Sequence, residues 1–370
     1  MNATALAELS SAGVAIWLDD LSRDLITTGE LQRLIDQRYV VGVTSNPTIF
    51  AKALSSSHSY DSALRDLATR KVDVNDAVRT ITTDDVRSAC DVFEPVFAAS
   101  STQDGRVSIE VSPELAHDSE GTLEEARRLW KIIDRKNLFV KIPATQEGLR
   151  AITAATAEGI SVNVTLIFSL DRYRAVMNAY QTGLEQAHQA GRDLSTIASV
   201  ASFFISRIDS AIDQELKALG STEAEQLLGK SAIANGHLAY EAYTEVFNTP
   251  RWQVLADAGA QPQRPLWAST GVKNPDYKDT MYVEELIVNG CVNTMPDATL
   301  EAFADHGEVR GDTVTGRGKD AEKVLDSIER LGISYTKITE RLEEEGVSKF
   351  AASWSELLET VKDGLARFAS

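Results

Sequence analysis

The stretch TLEEARRLWKIIDRKNLFVKI, residues 122–142, joins an amphipathic helical pattern to a short apolar, β-branched run. Apolar residues recur at the spacing of one helix face over 122–136, whereas NLFVKI (137–142) has the composition of a buried strand. A helix that leads directly into such a strand is one unit of a parallel sheet, because parallel strands need a crossover between them. The stretch therefore predicts an α/β protein.

The same unit recurs along the chain. Eight strand candidates lie at 13–19, 39–44, 106–111, 137–142, 160–168, 196–204, 265–269 and 291–295. Eight is the number of strands that closes a (β/α)8 TIM barrel, and a chain of 370 residues is within the range of that fold. The sequence predicts this barrel with additional helices outside it.

Two stretches exceed what a simple barrel needs. Residues 45–105 are too many for one crossover helix and predict several helices, one of them over 84–100. The pattern is again helical over about 300–370. No Pro/Gly/Ser-rich linker or repeat separates these stretches, so we expect one domain over 1–370 with a helical insertion and a helical C-terminal extension.

The charge balance restricts the partners. The chain has 37 Lys and Arg against 55 Asp and Glu, which gives a net charge of −18. Such a surface repels phosphate backbones and anionic lipids, so neither nucleic acid nor a membrane is an expected partner. An anionic metabolite can bind only where a few cations are concentrated. The oligomeric state is not predicted.

The remaining composition indicates a cytoplasmic protein without a metal. Cys90 and Cys291 cannot form a disulfide framework, and the five histidines show no metal-ligand spacing. The N-terminal segment lacks a basic region before its short apolar run, and no stretch has the length of a membrane span.

Lys141 is a charged residue inside a predicted buried strand. It shares one strand face with Phe139, and Pro143 places it near the C-terminal end of the strand. That end carries the active site in TIM barrels. The alternative is a strand-end lysine whose ammonium group reaches solvent.

Polar residues occupy comparable places on other strands. Asp19 ends the first strand, Glu110 lies near the end of the third, and Asn163 and Thr165 point the same way from the fifth. An amine with carboxylates and a hydroxyl suits carbonyl chemistry through a lysine imine. Asp19 alone could instead cap the following helix. A nearby carboxylate favours the protonated amine and burial disfavours it, and the sequence leaves that balance open.

Four motifs resemble the transaldolase family, and they follow one another in the order of that family. They are TSNPTIF (44–50), VKIPAT (140–145), NVTLIFS (163–169) and ASFFISRID (201–209). The length and the helical tail resemble the longer actinobacterial type of this family.

The resemblance implies a metal-free, cofactor-free enzyme of the pentose phosphate pathway. Such an enzyme moves a dihydroxyacetone unit from sedoheptulose 7-phosphate or fructose 6-phosphate to glyceraldehyde 3-phosphate or erythrose 4-phosphate. Lys141 matches the Schiff-base lysine, Asp19 the acid/base, and Glu110 and Thr165 the pair that positions the catalytic water. Three residues match groups around the dihydroxyacetone unit: Asn46, Asn163 and Ser202.

The resemblance is incomplete at the phosphate. Arg207 matches a phosphate-binding arginine, with a surface salt bridge to Asp209 or Asp213 as the alternative. After the seventh strand the family commonly has Ala-Ser-Phe-Arg, whereas this chain has WASTGVKNPDY (267–277). Ser269 matches the serine, and the nearest cation is Lys273, which has a single charge without the two-pronged geometry of arginine.

Two other functions are compatible with the motifs. One is a lyase, a fructose-6-phosphate aldolase that releases free dihydroxyacetone. Those relatives are shorter and often have tyrosine where this chain has Phe204, which favours transfer. The other is a sugar-phosphate sensor without catalysis, which has no need of Lys141 or Asp19.

Overall fold

A computed structural model describes residues 4–369 of the chain. In that range eight parallel strands close into a barrel in chain order. They are β1 (Ala15–Leu18), β2 (Val40–Val43), β3 (Arg106–Glu110), β4 (Leu138–Pro143), β5 (Val162–Ile167), β6 (Ser199–Phe204), β7 (Arg264–Ala268) and β8 (Val292–Met295). Each strand overlaps one of the eight predicted stretches, so the predicted (β/α)8 TIM barrel is confirmed.

The described residues also form helices that surround the barrel. They are α1 (Ala5–Ser11), α2 (Arg23–Thr27), α3 (Glu30–Arg38), α4 (Pro47–Ser56), α5 (Asp61–Thr69), α6 (Val74–Ala99), α7 (Ser119–Ile133), α8 (Gln146–Ala157), α9 (Leu170–Gln189), α10 (Ser206–Leu219), α11 (Thr222–Glu225), α12 (Ser231–Val246), α13 (Pro250–Asp257), α14 (Met281–Glu284), α15 (Asp297–His306), α16 (Gly318–Arg330) and α17 (Tyr335–Phe368). Short 3₁₀ turns lie at His58–Tyr60, Pro113–Leu115 and Leu194–Thr196. None of the helices in residues 4–369 is long and apolar enough to cross a membrane.

The barrel interior is filled by large side chains. The rings of Trp17 and Phe139 stack with their centroids 6.2 Å apart. The guanidinium of Arg106 lies between the rings of Phe97 and Phe139, 4.7 and 4.9 Å from their centroids. Helices cover the outer face, and the strands are therefore buried on both sides. This double burial explains why the strands have nearly continuous apolar sequences.

The segment between β2 and β3 forms α4, α5 and α6 with a 3₁₀ turn among them. The helix predicted over 84–100 is the second half of α6, which begins ten residues earlier, at Val74. Asp73 starts that helix because its side chain accepts a hydrogen bond from the backbone N–H of Asp76. The prediction missed this cap.

The strand register places the polar residues in one row. Glu110 pairs with Lys141 between β3 and β4, and Lys141 pairs with Asn163 between β4 and β5. Thr165 pairs with Pro143, two residues further toward the C-terminal end. β4 therefore ends at Pro143, one residue beyond the predicted end at Ile142, and Lys141 lies near the end of the strand as expected.

The helix α17 lies against the same end of the barrel. It contacts α4, α5 and α6 on one side and β5 and α10 on another. Gly346 permits a close approach to the barrel, because a Cβ atom added there lies 2.9 Å from Cδ2 of Leu166 and 3.6 Å from Nη1 of Arg207. A glycine inside a helix lowers helix stability by about 1 kcal/mol relative to alanine. Here it allows α17 to pack against the strand ends.

We expect Gly42→Ala to destabilise the barrel by about 1–3 kcal/mol, because a Cβ atom at position 42 lies 2.5 Å from Cε2 of the buried Trp17 ring. Urea unfolding of the purified variant measures the loss. The matched rescue combines Gly42→Ala with Trp17→Leu, because the second substitution removes the ring that the new methyl group contacts. If the two losses simply add in the double variant, the contact is not the cause.

Candidate active site

Lys141 is buried at the centre of a group of polar side chains. Its Nζ lies 3.5 Å from Oε2 of Glu110 and donates a hydrogen bond of 3.3 Å to the carbonyl oxygen of Ser45. The ring of Phe350, from α17, lies over the amine with its centroid 5.7 Å from Nζ. Only 5% of the Lys141 side chain is exposed, so the alternative of a solvent-reaching lysine is wrong.

Glu110 is the carboxylate nearest to that amine. Its side chain is 4% exposed, and burial raises the pKa of its carboxyl group to about 7 despite the opposing charge of Lys141. Its Oε2 atom and the Oγ1 atom of Thr165 are buried without a hydrogen-bond partner among the described residues. These two unpartnered atoms leave polar capacity for a water molecule or a ligand.

Asp19 follows β1 and belongs to a short chain of hydroxyl groups. Its Oδ1 accepts a 2.7 Å hydrogen bond from Thr44, whose hydroxyl is 2.6 Å from that of Thr294. Burial raises the pKa of the Asp19 carboxyl group, and Lys141, this hydrogen bond, Lys273 and Arg207 oppose the rise in that order. The arrangement holds a carboxylate whose proton affinity exceeds that of an ordinary aspartate.

The amide side chains are fixed by the protein. Oδ1 of Asn163 accepts a 2.7 Å hydrogen bond from Ser202, and its Nδ2 donates one of 3.0 Å to the hydroxyl of Ser108. Asn46 caps α4, because its Oδ1 accepts from the backbone N–H of Ile49 at 3.0 Å. The capping orientation leaves the Nδ2 group of Asn46 as a donor for a ligand.

A cavity of about 250 Å³ joins most of these residues. Seven of the predicted site residues line it: Asp19, Asn46, Lys141, Ser202, Arg207, Ser269 and Lys273. Glu110, Asn163 and Thr165 are not among its lining residues. Glu110 lines a second cavity of about 320 Å³, which Asn46 also borders, while Asn163 and Thr165 are buried in the strand layer. In residues 4–369 no group of three or more His, Cys, Asp or Glu side chains is arranged to hold a metal ion.

The cations at one end of the cavity come from two neighbouring elements. Arg207 is the second residue of α10, and burial lowers the pKa of its guanidinium. Ser269 follows β7 with a left-handed backbone, φ 56°, and its hydroxyl is 3.0 Å from that of Ser206. Lys273 lies on the same loop and lines the cavity. Two positive charges, a hydroxyl and a helix N-terminus suit a phosphate group.

The alternative of a salt bridge from Arg207 to Asp209 or Asp213 is wrong. Asp209 accepts hydrogen bonds from Tyr282 at 2.8 Å and from the backbone N–H of Ala232 at 2.7 Å. Asp213 accepts from Tyr277 at 2.6 Å and from the backbone N–H of Gly229 at 3.0 Å. These bonds fasten the loop after β7, and with it Lys273, to the helix that carries Arg207.

Sequence reasoning missed ten of the lining residues, and three of them bear on the chemistry of the cavity. Thr44 belongs to the motif TSNPTIF but has no charge that singles it out. Lys349 and Phe350 lie on α17, about 200 positions from the motif VKIPAT. A helical pattern identifies an apolar face without naming the surface that it covers, so no signal in the sequence directed these two residues to the cavity.

The profile of the transaldolase/fructose-6-phosphate aldolase family matches residues 16–361. This chain belongs to that family. A curated transaldolase from Thermobifida fusca (strain YX) is 61% identical over 98% of this chain and 98% of its own length. A transaldolase from Parafrankia sp. (strain EAN1pec) is 60% identical over 99% of each chain, and one from Mycobacterium tuberculosis (strain CDC 1551 / Oshkosh) is 59% identical over 96% of each.

The family resemblance predicted from four motifs is thereby confirmed, including the actinobacterial type. The match extends through α15 and α16 and most of α17. At about 60% identity over nearly the full length, the transaldolase relatives extend over the C-terminal helices as well as the barrel.

The raised pKa of Glu110 predicts how stability depends on pH. Folded Glu110 binds its proton up to about pH 7, whereas an unfolded glutamate releases it near 4.5, so wild-type stability falls as the pH rises through that window. Glu110→Gln carries no titrating group. We expect the free energy of unfolding of this variant, relative to wild type, to increase by on the order of 3 kcal/mol between pH 4.5 and 8.

Urea unfolding of both proteins at several pH values measures this difference. Any constant effect of the substitution cancels, because only the change with pH matters. Glu114→Gln is the matched control in a neighbouring 3₁₀ turn. A pH-independent difference for Glu110→Gln would contradict the raised pKa.

Proposed function

We propose that this transaldolase-family transferase moves a dihydroxyacetone unit between sugar phosphates of the pentose phosphate pathway. The donors are sedoheptulose 7-phosphate or fructose 6-phosphate, and the acceptors are glyceraldehyde 3-phosphate or erythrose 4-phosphate. The supporting observation is one cavity that joins a buried amine, a carboxylate and cations without carboxylate partners. The amine fits the ketose carbonyl, and the cations fit the phosphate.

In this proposal Lys141 forms the imine. Its neutral Nζ adds to the C2 carbonyl carbon of the donor, and the resulting carbinolamine loses water to give a protonated Schiff base. Glu110 exchanges the protons of this step, because a carboxyl group with a pKa of about 7 is present in both forms at neutral pH. Thr165, whose Oγ1 is buried without a partner, holds the water together with Glu110.

Asp19 is the proposed acid/base of carbon–carbon cleavage. Its carboxylate takes the proton of the C4 hydroxyl as the C3–C4 bond breaks, and the electron pair of that bond moves into the imine. The aldose phosphate leaves, and an enamine remains on Lys141. Attack of the enamine on the acceptor aldehyde reverses these steps, with Asp19 returning the proton, and water then releases the product.

The other residues position the sugar. Asn46 and Ser202 line the cavity beside Lys141: Nδ2 of Asn46 donates to a dihydroxyacetone oxygen, and Ser202, whose proton goes to Asn163, accepts from a dihydroxyacetone hydroxyl group. Arg207, Ser269 and Lys273 hold the phosphate at the other end. The sugar phosphate is then held at both ends. Less entropy is therefore lost when the bound substrate reaches the transition state.

A lyase and a sensor are the competing functions. The matched family includes fructose-6-phosphate aldolase, so the profile alone does not distinguish transfer from release. Near-full-length identity of about 60% to curated transaldolases supports transfer. The Asp19 and Lys141 geometry supports catalysis over sensing, because phosphate recognition alone has no use for a buried amine.

The proposal also covers the cellular location and the domain organisation of the chain. The enzyme acts in the cytoplasm, where thiols such as the buried Cys90 and Cys291 stay reduced. The chain acts as one barrel domain with a helical insertion over 45–105 and a helical extension over 300–370. Contacts of α17 with α4, α5 and α6 support this unity, because the extension packs on the insertion.

Borohydride trapping with fructose 6-phosphate tests the chemistry. Reduction converts the imine into a stable amine, and we expect a dihydroxyacetone adduct on the peptide that contains Lys141. Lys141→Arg keeps the charge but lacks the nucleophile, so we expect no adduct and no transfer. Lys273 and Lys349 also line the cavity, and an adduct on either would overturn the assignment of Lys141.

A donor-only assay distinguishes transfer from release. With fructose 6-phosphate alone, we expect consumption to stop after about one equivalent per active site, because the enamine waits for an acceptor. Adding erythrose 4-phosphate should restart turnover and yield sedoheptulose 7-phosphate. Continued release of free dihydroxyacetone without acceptor would identify a lyase. Lys141→Arg gives the background of both assays.

A further inference from the structure

Lys349 belongs to α17 and lines the cavity from outside the barrel. It directly precedes Phe350, whose ring covers the Lys141 amine. One turn earlier, Gly346 lies close to the guanidinium of Arg207. The position of Lys349 is therefore fixed by two neighbours on its own helix that contact the barrel.

Three cations meet at this end of the cavity without a carboxylate in ion-pair contact, although Glu345 and Asp19 act on Arg207 from a greater distance. Arg207, Lys273 and Lys349 all line it, and none has a carboxylate oxygen of residues 4–369 within 4 Å. Like charges so placed raise the free energy of the empty site. Their mutual effect is visible at Lys349, where Arg207, then burial and then Lys273 lower the pKa of the ammonium group.

The rest of the molecule makes this cluster unusual. The chain has 18 more acidic than basic residues, so three cations that line one cavity without an ion-pair partner stand out against its overall charge. A concentration of unpaired positive charge within such a surface fits a dianion, which gains from each cation in turn.

We infer that Lys349 is a substrate-binding residue: with Arg207 and Lys273 it forms a three-cation site for the phosphate of the sugar substrates, so that α17 contributes directly to binding. The inference rests on the proposed function, and it deepens the account of the phosphate site. It also accounts for the absence of the arginine that the family commonly has after the seventh strand. Lys273 from the loop and Lys349 from α17 supply two single charges where the family commonly has one guanidinium.

The inferred site couples phosphate binding to the position of α17 over the cavity. A phosphate held by Arg207 of α10 and Lys349 of α17 links those two helices. Because Phe350 adjoins Lys349, the same link holds its ring over Lys141. The sugar phosphate thus helps to keep the cover in place over the imine that it forms.

Kinetics of Lys349→Ala with phosphorylated and unphosphorylated donors test the inference. We expect the KM for fructose 6-phosphate to rise about tenfold or more, as for loss of one charged hydrogen bond, with kcat largely retained. With fructose as donor, which has no phosphate, kcat/KM should be unchanged. The inhibition constant of inorganic phosphate should rise in parallel with the KM.

Three further variants make the result specific. Lys337→Ala removes one exposed lysine from the same helix outside the cavity, and it should leave both donors unaffected. Lys349→Arg should restore most of the affinity. Lys349→Gln keeps a long side chain without the charge, and it carries the test if the alanine variant does not fold.

The outcomes separate the inference from the proposed function. An equal loss with fructose and fructose 6-phosphate would assign Lys349 a purely structural role, and no loss with either would also overturn the inference. If wild-type protein transfers no dihydroxyacetone, the proposed function fails. Calorimetric titration with inorganic phosphate still tests Lys349 in that event, because unweakened binding to Lys349→Gln would overturn the three-cation site.

Discussion

The register between β3 and β4 sets Glu110 beside Lys141, and the site is organised around this buried pair. A buried charge is costly unless a partner and further hydrogen bonds stabilise it. Here the amine has one carboxylate at 3.5 Å and one backbone carbonyl at 3.3 Å, and the carboxyl group keeps a pKa of about 7. A carboxyl group with this pKa is present in both forms at neutral pH, which suits the proton exchange that the proposed mechanism assigns to Glu110.

Around that pair, the barrel strands and the surrounding loops and helices contribute different groups to the site. The strands provide the rigid row of Glu110, Lys141 and Asn163, whereas loops and helices provide the groups that face the cavity opening. A hydrogen bond from Tyr277 to Asp213 connects the loop after β7 to α10. The long helix α17 closes the remaining side. The described residues therefore place the chemistry on strands and the proposed phosphate recognition on elements that only the tertiary fold brings together.

The sequence predicted what local physical rules determine. Lys141 was recognisable because a charge inside a buried strand is exceptional, and Pro143 indicated the end of that strand. The eight strands followed from apolar runs between amphipathic stretches.

The roles of Lys349 and Phe350 could not be predicted from the sequence, since helical periodicity does not specify which surface a helix covers. The start of α6 was missed for a different reason: its cap, Asp73, lies in a polar stretch where many side chains could cap a helix. The ion pair predicted as an alternative for Arg207 failed because backbone N–H groups and tyrosine hydroxyls engage both aspartates.

Ser269 adopts a left-handed backbone at φ 56°, a conformation that suits glycine and costs other residues on the order of 1 kcal/mol or more. Directed evolution for heat resistance alone would therefore favour glycine at this position, and the hydroxyl that lines the cavity would be lost with it. Selection for turnover acts in the opposite direction. Position 269 is thus a point where thermostability competes with the proposed binding of the sugar phosphate, and an engineering campaign should hold it fixed while it seeks stability elsewhere.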